Sequence, residues 1–277
     1  MILKNVFIIL FVLSALGLGW STTQLILTIN KQELSTLSLS SSIAIEKIKP
    51  FPYQKQYTIS YTGILEGESL IEIDLLGLEG SSPENFGYYM AIWQGNQIMN
   101  LSQAKAVQNI LIQTQDGSFV FNTLGLSQLD YTIGLGVNKK DSTSFCSTLI
   151  IPKGTQLNET INDSNAFFSS VKILEIGTNS LIAQYKTPEF NLPKQNKNWV
   201  ALFKGRFTSN MFLGTNIIQK IPINGTTNNG TIVLNNIPNG LIVNQFYTLV
   251  YGMGYNSKGT EDAQNIVAAS EFRVPFR

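Results

Sequence analysis

The sequence contains no histidine and a single cysteine, Cys146. Without histidine, the chain lacks the side chain whose unperturbed pKa lies near neutrality. It therefore lacks Ser-His-Asp and Cys-His catalytic constellations and His-containing zinc sites. One cysteine cannot form a disulfide within the chain, and we expect Cys146 to be buried and inert, because unpaired cysteines are among the most buried residues. We predict a non-catalytic protein with no metal site and no cofactor.

Charge is also scarce. Only 13% of the 277 residues are charged, against about 25% in an average soluble domain. The 19 Lys and Arg nearly balance the 18 Asp and Glu, and no basic run is present. Binding to phosphate backbones depends on such basic surfaces, so we expect no nucleic-acid partner. Membrane contact is expected only through the N-terminal segment.

That N-terminal segment is hydrophobic. Residues 6–20 form an apolar run after one positive charge, and Gly17 and Gly19 supply small residues at the spacing of a cleavage site. These features predict a signal peptide over residues 1–21, with an uncleaved helical signal anchor as the alternative. Residues 22–42 are Ser- and Thr-rich and are interpreted as a stalk. The protein is therefore expected to be secreted or membrane-anchored, with an extracytoplasmic ectodomain.

Such a location permits N-glycosylation, for which the chain carries five Asn-x-Ser/Thr sequons. In a chain this rich in Asn, Ser and Thr, about that many arise by chance, so they do not by themselves argue for modification. The candidate acceptors are Asn100, Asn158, Asn162, Asn224 and Asn229.

The chain contains an internal repeat. Residues 89–95 match residues 199–205, aromatic for aromatic and glycine for glycine, at an offset of 110. The offset drifts along the chain because insertions accumulate in polar stretches, where surface loops tolerate added length. The other matches are 69–71 with 180–182, 117–122 with 230–235, 131–133 with 247–249 and 147–152 with 270–275, at offsets of 111, 113, 116 and 123.

The matched segments have the patterns of β-strands. Residues 89–93 are continuously apolar, as in a strand buried on both faces, whereas residues 71–75 alternate and place Glu72 and Asp74 together on an outer face. No segment after residue 30 sustains a helical period. We predict an all-β protein of two tandem immunoglobulin- or fibronectin-like β-sandwiches. The predicted ranges are 43–153 for the first module, 154–166 for a linker and 167–277 for the second module.

The second repeat resembles the SKICH type of immunoglobulin-like domain, and more distantly the fibronectin-like N-terminal domain of purple acid phosphatases. Residues 198–205 resemble the strand that begins with Trp and ends in Leu-Phe-Lys in those domains. Residues 247–251 resemble their Tyr-rich strand, and residues 268–277 resemble their final strand. The resemblance implies the fold, together with an accessory role in binding, targeting or supporting a neighbouring domain.

Several aromatic residues are candidates for either packing or binding. Trp93 and Phe203 occupy equivalent positions, and their apolar neighbours favour the core of a sandwich over a carbohydrate-stacking platform. Tyr247 and Tyr251 lie on one face of a strand by parity, and Tyr131 is the counterpart of Tyr247. A tyrosine repeated at this position is typical of the corner of an immunoglobulin-like sandwich.

The acidic residues are concentrated in one place. We expect these side chains to be solvated rather than to bind calcium or catalyse glycoside hydrolysis, because no calcium-binding loop pattern accompanies them. Residues 252–255 contain Gly-x-Gly without the third glycine or the following helix of a nucleotide site. The acidic cluster consists of Glu66, Glu68, Glu72 and Asp74.

Three hypotheses for function follow. The first is a structural or adhesive protein that acts through protein–protein contacts or self-assembly, alone or as an accessory subunit of a larger assembly. The second is a glycan-binding module that uses Asn, Gln and Tyr side chains of loops near Trp199 or Trp20. The third is an enzyme restricted to carboxylate chemistry, and the composition disfavours it.

Overall fold

The computed structural model describes residues 53–65, 70–98, 100–121, 129–137, 144–154, 166–254 and 260–276. All of them fall within one unit of the chain, Pro52–Arg277. The predicted signal peptide or anchor and the predicted stalk lie outside the described residues. Across the described ranges, no helix combines the length and apolar character needed to span a bilayer.

β-Strands dominate the described residues, and this confirms the predicted all-β class. The first half contains β1 (Tyr53–Gln56), β2 (Thr58–Leu65), β3 (Leu70–Leu76), β4 (Tyr89–Gln94), β5 (Ala106–Asn109), β6 (Asp116–Phe121), β7 (Tyr131–Gly136) and β8 (Phe145–Ile151). The second half contains β9 (Ala166–Phe168), β10 (Ser170–Ile176), β11 (Leu181–Lys186), β12 (Trp199–Lys204), β13 (Ile217–Pro222), β14 (Asn229–Leu234), β15 (Phe246–Gly252) and β16 (Ile266–Arg273). Short 3₁₀ helices span Leu101–Gln103, Ser209–Leu213 and Thr260–Asn265.

The strands form two sandwiches, each made of a three-stranded and a five-stranded sheet. The first sandwich combines the sheet β2-β3-β6 with the sheet β5-β4-β7-β8-β9. The second sandwich combines β10-β11-β14 with β13-β12-β15-β16-β1. All the pairings are antiparallel, in the strand order of an immunoglobulin- or fibronectin-like sandwich.

The two sandwiches exchange their first strands. β1 pairs with β16 of the second sandwich, and β9 pairs with β8 of the first. One residue separates each exchanged strand from the strand that follows it. These residues make equivalent bonds to the other half: the Tyr57 amide donates to the Val267 carbonyl (3.4 Å), and the Ser169 amide donates to the Cys146 carbonyl (2.8 Å). The predicted ranges 43–153 and 167–277 therefore do not separate the strands by sheet.

The register of the sheets confirms the repeat at its central match. Tyr89 pairs with Gly136, and Trp199 pairs with Gly252 in the same way. Each aromatic ring lies over its partner glycine, because a Cβ atom added at Gly136 or Gly252 would lie 2.2 Å or 2.1 Å from the ring. Only glycine leaves room for a ring at this distance from the backbone.

Two of the predicted matches are corrected by the register. Ile71 pairs with Phe121, and Leu181 pairs with Leu234. Phe121 and Leu234 are equivalent at the predicted offset of 113, so Ile71 corresponds to Leu181 at an offset of 110 rather than 111. The predicted alignment of β3 with β11 is wrong by one residue, because the identical tripeptide Ser-Leu-Ile lies one residue out of register in the two halves.

The last strand of each half shows a similar slip. Tyr131 pairs with Ile151, and Tyr247 pairs with Phe272. Because the two tyrosines are equivalent, β8 corresponds to β16 at an offset of 121 rather than the predicted 123. A slip of two residues keeps the side chains on the predicted faces, since side chains alternate with a period of two.

The predicted tyrosine corner is confirmed at Tyr247. Its side chain is buried, and its hydroxyl oxygen accepts a hydrogen bond from the Ile242 amide five residues upstream, at 3.1 Å. Tyr131 is buried at the equivalent position of the first sandwich. The hydroxyl of Tyr247 thus ties β15 to the connection that precedes it.

Replacing Tyr247 by phenylalanine is expected to lower the free energy of unfolding by about 1 kcal/mol, since one intramolecular hydrogen bond is lost while the ring stays in place. Urea denaturation followed by circular dichroism measures the change. An unchanged midpoint would show that the bond to Ile242 contributes nothing to stability.

Buried tyrosine hydroxyls also connect the two halves. The Tyr57 hydroxyl donates to the Tyr88 hydroxyl oxygen (3.5 Å), and the Tyr88 hydroxyl donates to the carbonyl of Gln264 in the second half. In the second sandwich, the Asn198 amide nitrogen donates to the Tyr251 hydroxyl oxygen at 2.6 Å. Burial raises the pKa of Tyr57, Tyr88 and Tyr251, so all three side chains stay neutral across the physiological range.

Candidate functional site

β4 is buried on both of its faces, as predicted. Met90 and Ile92 face the interior of the first sandwich, whereas Tyr89, Ala91 and Trp93 face away from it. The outward residues form a separate apolar cluster with Phe145 of β8. This second face is buried because loops cover it, and one of those loops comes from the other half of the chain.

Trp93 is the centre of this outward cluster. It is fully buried, it meets the Phe145 ring edge-on at 5.1 Å, and its indole Nε1 donates to the Asn100 carbonyl at 3.2 Å. Phe190, from the connection between β11 and β12, packs against the same cluster. The predicted burial of Trp93 is confirmed, but its position is outside the sandwich interior. Phe203, its counterpart in β12, is also buried.

Beside this cluster the outward face opens into a cleft of about 280 Å³. Its floor is formed by β7, β8 and the exchanged strand β9, one wall by the loop after β4, and the other wall by the loop after β11. Side chains from both halves of the chain therefore meet in it. The lining consists of Asn96, Ile98, Thr132, Thr148, Ile150, Ala166, Phe167, Pro188, Glu189 and Phe190.

The lining combines aromatic surface with a few polar groups. Phe167 and Phe190 contribute rings, Asn96 an amide and Glu189 a carboxylate. Lys186 lies next to the cleft, with its Nζ 4.6 Å from the centre of the Phe167 ring. Small-molecule sites have mostly apolar walls with a few polar groups, and the lining of this cleft has a larger polar share than that.

One lining hydroxyl already has a structural role. The Thr132 hydroxyl donates to the Gly95 carbonyl at 2.8 Å, and the Thr248 hydroxyl of the second sandwich donates to the Gly205 carbonyl at 2.9 Å. The repeated bond fixes the start of each loop after the central strand. Thr148 is nearly buried and has Ala269 as its counterpart in β16.

The second sandwich fills the corresponding space with its own side chains. Phe207, Met211 and Phe212 are all buried in the loop after β12. The Phe207 amide donates to the carboxylate of Glu271, the counterpart of Ile150, at 2.9 Å. The Phe212 ring contacts the Phe86 ring of the first half at 5.1 Å between centroids.

The difference between the two sites comes from the length of one loop. The chain takes 14 residues from Ile92 to its strand partner Ala106, but 17 residues from Leu202 to its equivalent partner Gln219. The longer loop of the second sandwich carries the 3₁₀ helix Ser209–Leu213, which brings Met211 and Phe212 inward.

The facing loops differ as well. Gly80 of the first half occupies the position that Phe190 occupies in the second, 110 residues later. A Cβ atom at Gly80 would lie 2.2 Å from the Cβ atom of Ser209. Glycine therefore lets the loop of the first half close against the second sandwich, whereas Phe190 forms a wall of the open cleft.

The predicted acidic cluster is not part of this cleft. Glu72 and Asp74 lie on the outer face of β3, as predicted, and the Ser118 hydroxyl donates to Asp74 Oδ1 at 2.7 Å. Glu66 and Glu68 lie outside the described residues. The described ranges contain no group of three or more Cys, Asp or Glu side chains arranged to hold a metal ion.

The remaining predicted residues are distributed as follows. Cys146 is buried, its Sγ donates to the Leu135 carbonyl at 3.5 Å, and burial raises its pKa, so the thiol stays protonated. Trp199 is fully buried and offers no face to a glycan itself, and glycan binding by loops near it stays a prediction. Trp20 lies outside the described residues.

Three of the five predicted glycosylation acceptors are described. Asn100, Asn224 and Asn229 are exposed. Asn100 also accepts a hydrogen bond from the Ser102 amide at 3.4 Å, and Asn229 is the first residue of β14. Asn158 and Asn162 lie outside the described residues. Glycosylation at these positions stays a prediction.

Comparison with known proteins gives no family. No family model matches the chain, and no curated protein matches it. Among solved structures, a DUF3823 family protein from Bacteroides ovatus aligns at 14% identity over 80% of this chain and 100% of that one, with a TM-score of 0.30. Fibronectin domains FN1–FN3 of chicken CNTN1 align at 10% identity over 78% and 66%, with a TM-score of 0.25. Alignments at these scores do not bear on function, and the strand order described above establishes the fold.

Proposed function

We propose that this chain is a non-catalytic structural or adhesive protein that acts through protein–protein contacts outside the cytoplasm. The lack of histidine, the buried thiol and the scarcity of charge support a role without catalysis. The accessory role implied by the resemblance to SKICH-type domains belongs to the same proposal. The observation that carries it is a difference between the outer faces of the two three-stranded sheets.

The outer face of β10-β11-β14 exposes apolar side chains. Val233 is 44% exposed and pairs directly with the half-buried Ile182. Leu174, 51% exposed, lies at the bulge of the neighbouring strand. The exposed Glu175 also pairs with Ile182 on this face, so the apolar patch is small and has an acidic neighbour. Neighbouring exposed apolar residues mark interaction surfaces more often than isolated ones do. We call this surface the apolar face.

The corresponding face of the first sandwich carries more carboxylates, although it also exposes Leu76, at 55%. Glu72 and Asp74 occupy the positions that Ile182 and Gln184 occupy in the second sandwich. Asp116 at the end of β6 adds a third carboxylate on the adjacent strand. We call this surface the acidic face.

The two faces complement each other in a second copy of the chain. Lys172 and Lys186 are exposed on the strands that carry the apolar face, and they give the carboxylates of the acidic face cationic partners. A contact between two different faces is heterologous, so it adds copies in one direction rather than closing a dimer. Such a contact suits a component of an array.

Sedimentation velocity of the full-length chain in mild detergent, over a series of protein concentrations, tests this proposal. The wild type is expected to associate, and Val233→Glu is expected to return it to the monomer, because the new carboxylate opposes the acidic face. Leu111→Glu is the matched control, since Leu111 is 75% exposed and belongs to no strand of either face. A wild type that stays monomeric at all concentrations would contradict the proposal.

A glycan-binding role is the second candidate, and the cleft between the sandwiches favours it. Aromatic rings, an amide and a carboxylate line one small cavity there. A glycan array probed with the full-length chain tests this candidate, and the absence of binding to any glycan would exclude it from further consideration.

A further inference from the structure

The two sandwiches present the same site twice, and only one copy is open. In the second sandwich, the loop after β12 buries the side chains of Phe207, Met211 and Phe212, and the Phe207 amide donates to Glu271 of β16. In the first sandwich, a loop three residues shorter leaves about 280 Å³ at the equivalent place. In the second sandwich, the side chains of the loop after β12 supply aromatic rings, and its backbone makes a polar contact to the sheet. Groups of this kind are therefore expected to fit the cleft of the first sandwich.

The polar groups of the open copy favour a neutral ligand. Glu189 is a residue of one wall, and the Lys186 Nζ lies 4.6 Å from the centre of the Phe167 ring beside the floor. An anion would meet the Glu189 carboxylate, and a cation would meet Lys186. A neutral molecule with hydroxyl groups can donate to Glu189 and exchange hydrogen bonds with the Asn96 amide.

The apolar surface of the open copy fits the carbon skeleton of such a molecule. Phe167 of the strand β9 and Phe190 of the loop after β11 both line the cleft, and the C–H faces of a sugar ring pack against aromatic faces. The volume lies just below the range of roughly 300–1,000 Å³ that is typical of small-molecule sites. It admits a ligand of about one ring rather than an extended chain.

Strand pairing and packing fix the residues that line the cleft. Phe167 belongs to β9, which pairs with β8 of the first sandwich and continues after Ser169 into β10 of the second. Phe190 is packed against the Trp93 cluster. Because β9 and the loop that carries Phe190 are both fixed by contacts within the protein, they lose little conformational entropy when a ligand binds. This favours affinity.

We infer that the cleft between the sandwiches is a binding site for one neutral sugar ring, held between Phe167 and Phe190 and hydrogen-bonded to Glu189 and Asn96. The inference rests on the glycan-binding candidate and gives it a location and a ligand class. The site belongs to the first sandwich alone, because the second sandwich has replaced the ligand by its own side chains.

Saturation-transfer NMR of the full-length chain with glucose, galactose, mannose and N-acetylglucosamine tests the inference. At least one sugar is expected to bind saturably. Glu189→Gln is expected to weaken that binding about ten-fold, through loss of a hydrogen bond to a charged acceptor. Ala166→Phe is expected to abolish it by filling the floor. Glu79→Gln is the matched control, since Glu79 is the exposed counterpart of Glu189 at the filled copy, and it should leave binding unchanged.

The possible results distinguish failure of the cleft as the binding site from failure of glycan binding itself. If no sugar binds the wild type, both the inference and the glycan-binding candidate are overturned. If a sugar binds the wild type and all three variants equally, glycan binding stands and the cleft is not its site. Tetramethylammonium and inorganic phosphate serve as charged probes, and binding of either that is lost in Ala166→Phe, without binding of sugar, overturns the neutral ligand class.

Discussion

Replacing Trp93 by alanine is expected to lower the free energy of unfolding by about 3–5 kcal/mol. The side chain is fully buried, although it lies outside the interior of its own sandwich. Its removal leaves a cavity bounded by Phe145, the loop after β4 and Phe190, which are held by different parts of the fold and cannot all collapse into it. Loss of the edge-on contact at 5.1 Å and of the bond to the Asn100 carbonyl adds to the cost. Urea denaturation followed by circular dichroism measures the effect.

Two further measurements identify the cause of that loss. Leu111→Ala is the control for truncation, and because Leu111 is 75% exposed we expect a change of no more than about 0.5 kcal/mol. If Trp93 were a sugar-stacking platform, its alanine variant would keep its stability and lose only binding. A stable Trp93→Ala protein would therefore contradict the packing role that the structure gives this residue.

The sequence predicts the strands of this fold well because burial sets their pattern locally. The continuous apolar run of residues 89–93 predicts a strand covered on both faces, and the alternation of residues 71–75 predicts one covered on a single face. The internal repeat then supplies the number of sandwiches. Its offsets fail in β3, where an identical Ser-Leu-Ile tripeptide lies one residue out of register in the two halves, and in β8, where a shift of two residues keeps the alternation of side chains.

The exchange of first strands cannot be predicted in this way. β1 and β9 are short, and each is followed after one residue by a strand of its own half, so their local pattern is the same whichever sheet they join. The sheet that β1 joins is set by its pairing with β16, which lies more than two hundred residues away along the chain. Periodicity contains no information about such pairings.

The cleft was missed for a related reason. None of its residues forms a motif in the sequence, because Asn96 lies in the loop after β4, Thr148 in β8 and Phe167 in β9. Glu189 and Phe190 come from the other half of the chain. One signal was present, however. The repeat aligns Gly80 with Phe190, and it places three extra residues in the loop after β12, so a comparison of the two loops could have shown that the two copies of this surface differ.

Because the sandwiches exchange the strands β1 and β9, we expect the two sandwiches to unfold together. Ile73→Ala in the first sandwich and Leu249→Ala in the second each remove a fully buried side chain, at an expected cost of about 2–5 kcal/mol. Because β1 and β9 each complete the sheet of the other half, loss of one sandwich removes a strand from its neighbour. Each variant is therefore expected to show one calorimetric transition, shifted as a whole, with equal calorimetric and van't Hoff enthalpies. Amide exchange of β3 should accelerate in Leu249→Ala as much as that of β12. Two transitions, of which each variant moves only one, would mean that the exchanged strands do not couple the halves.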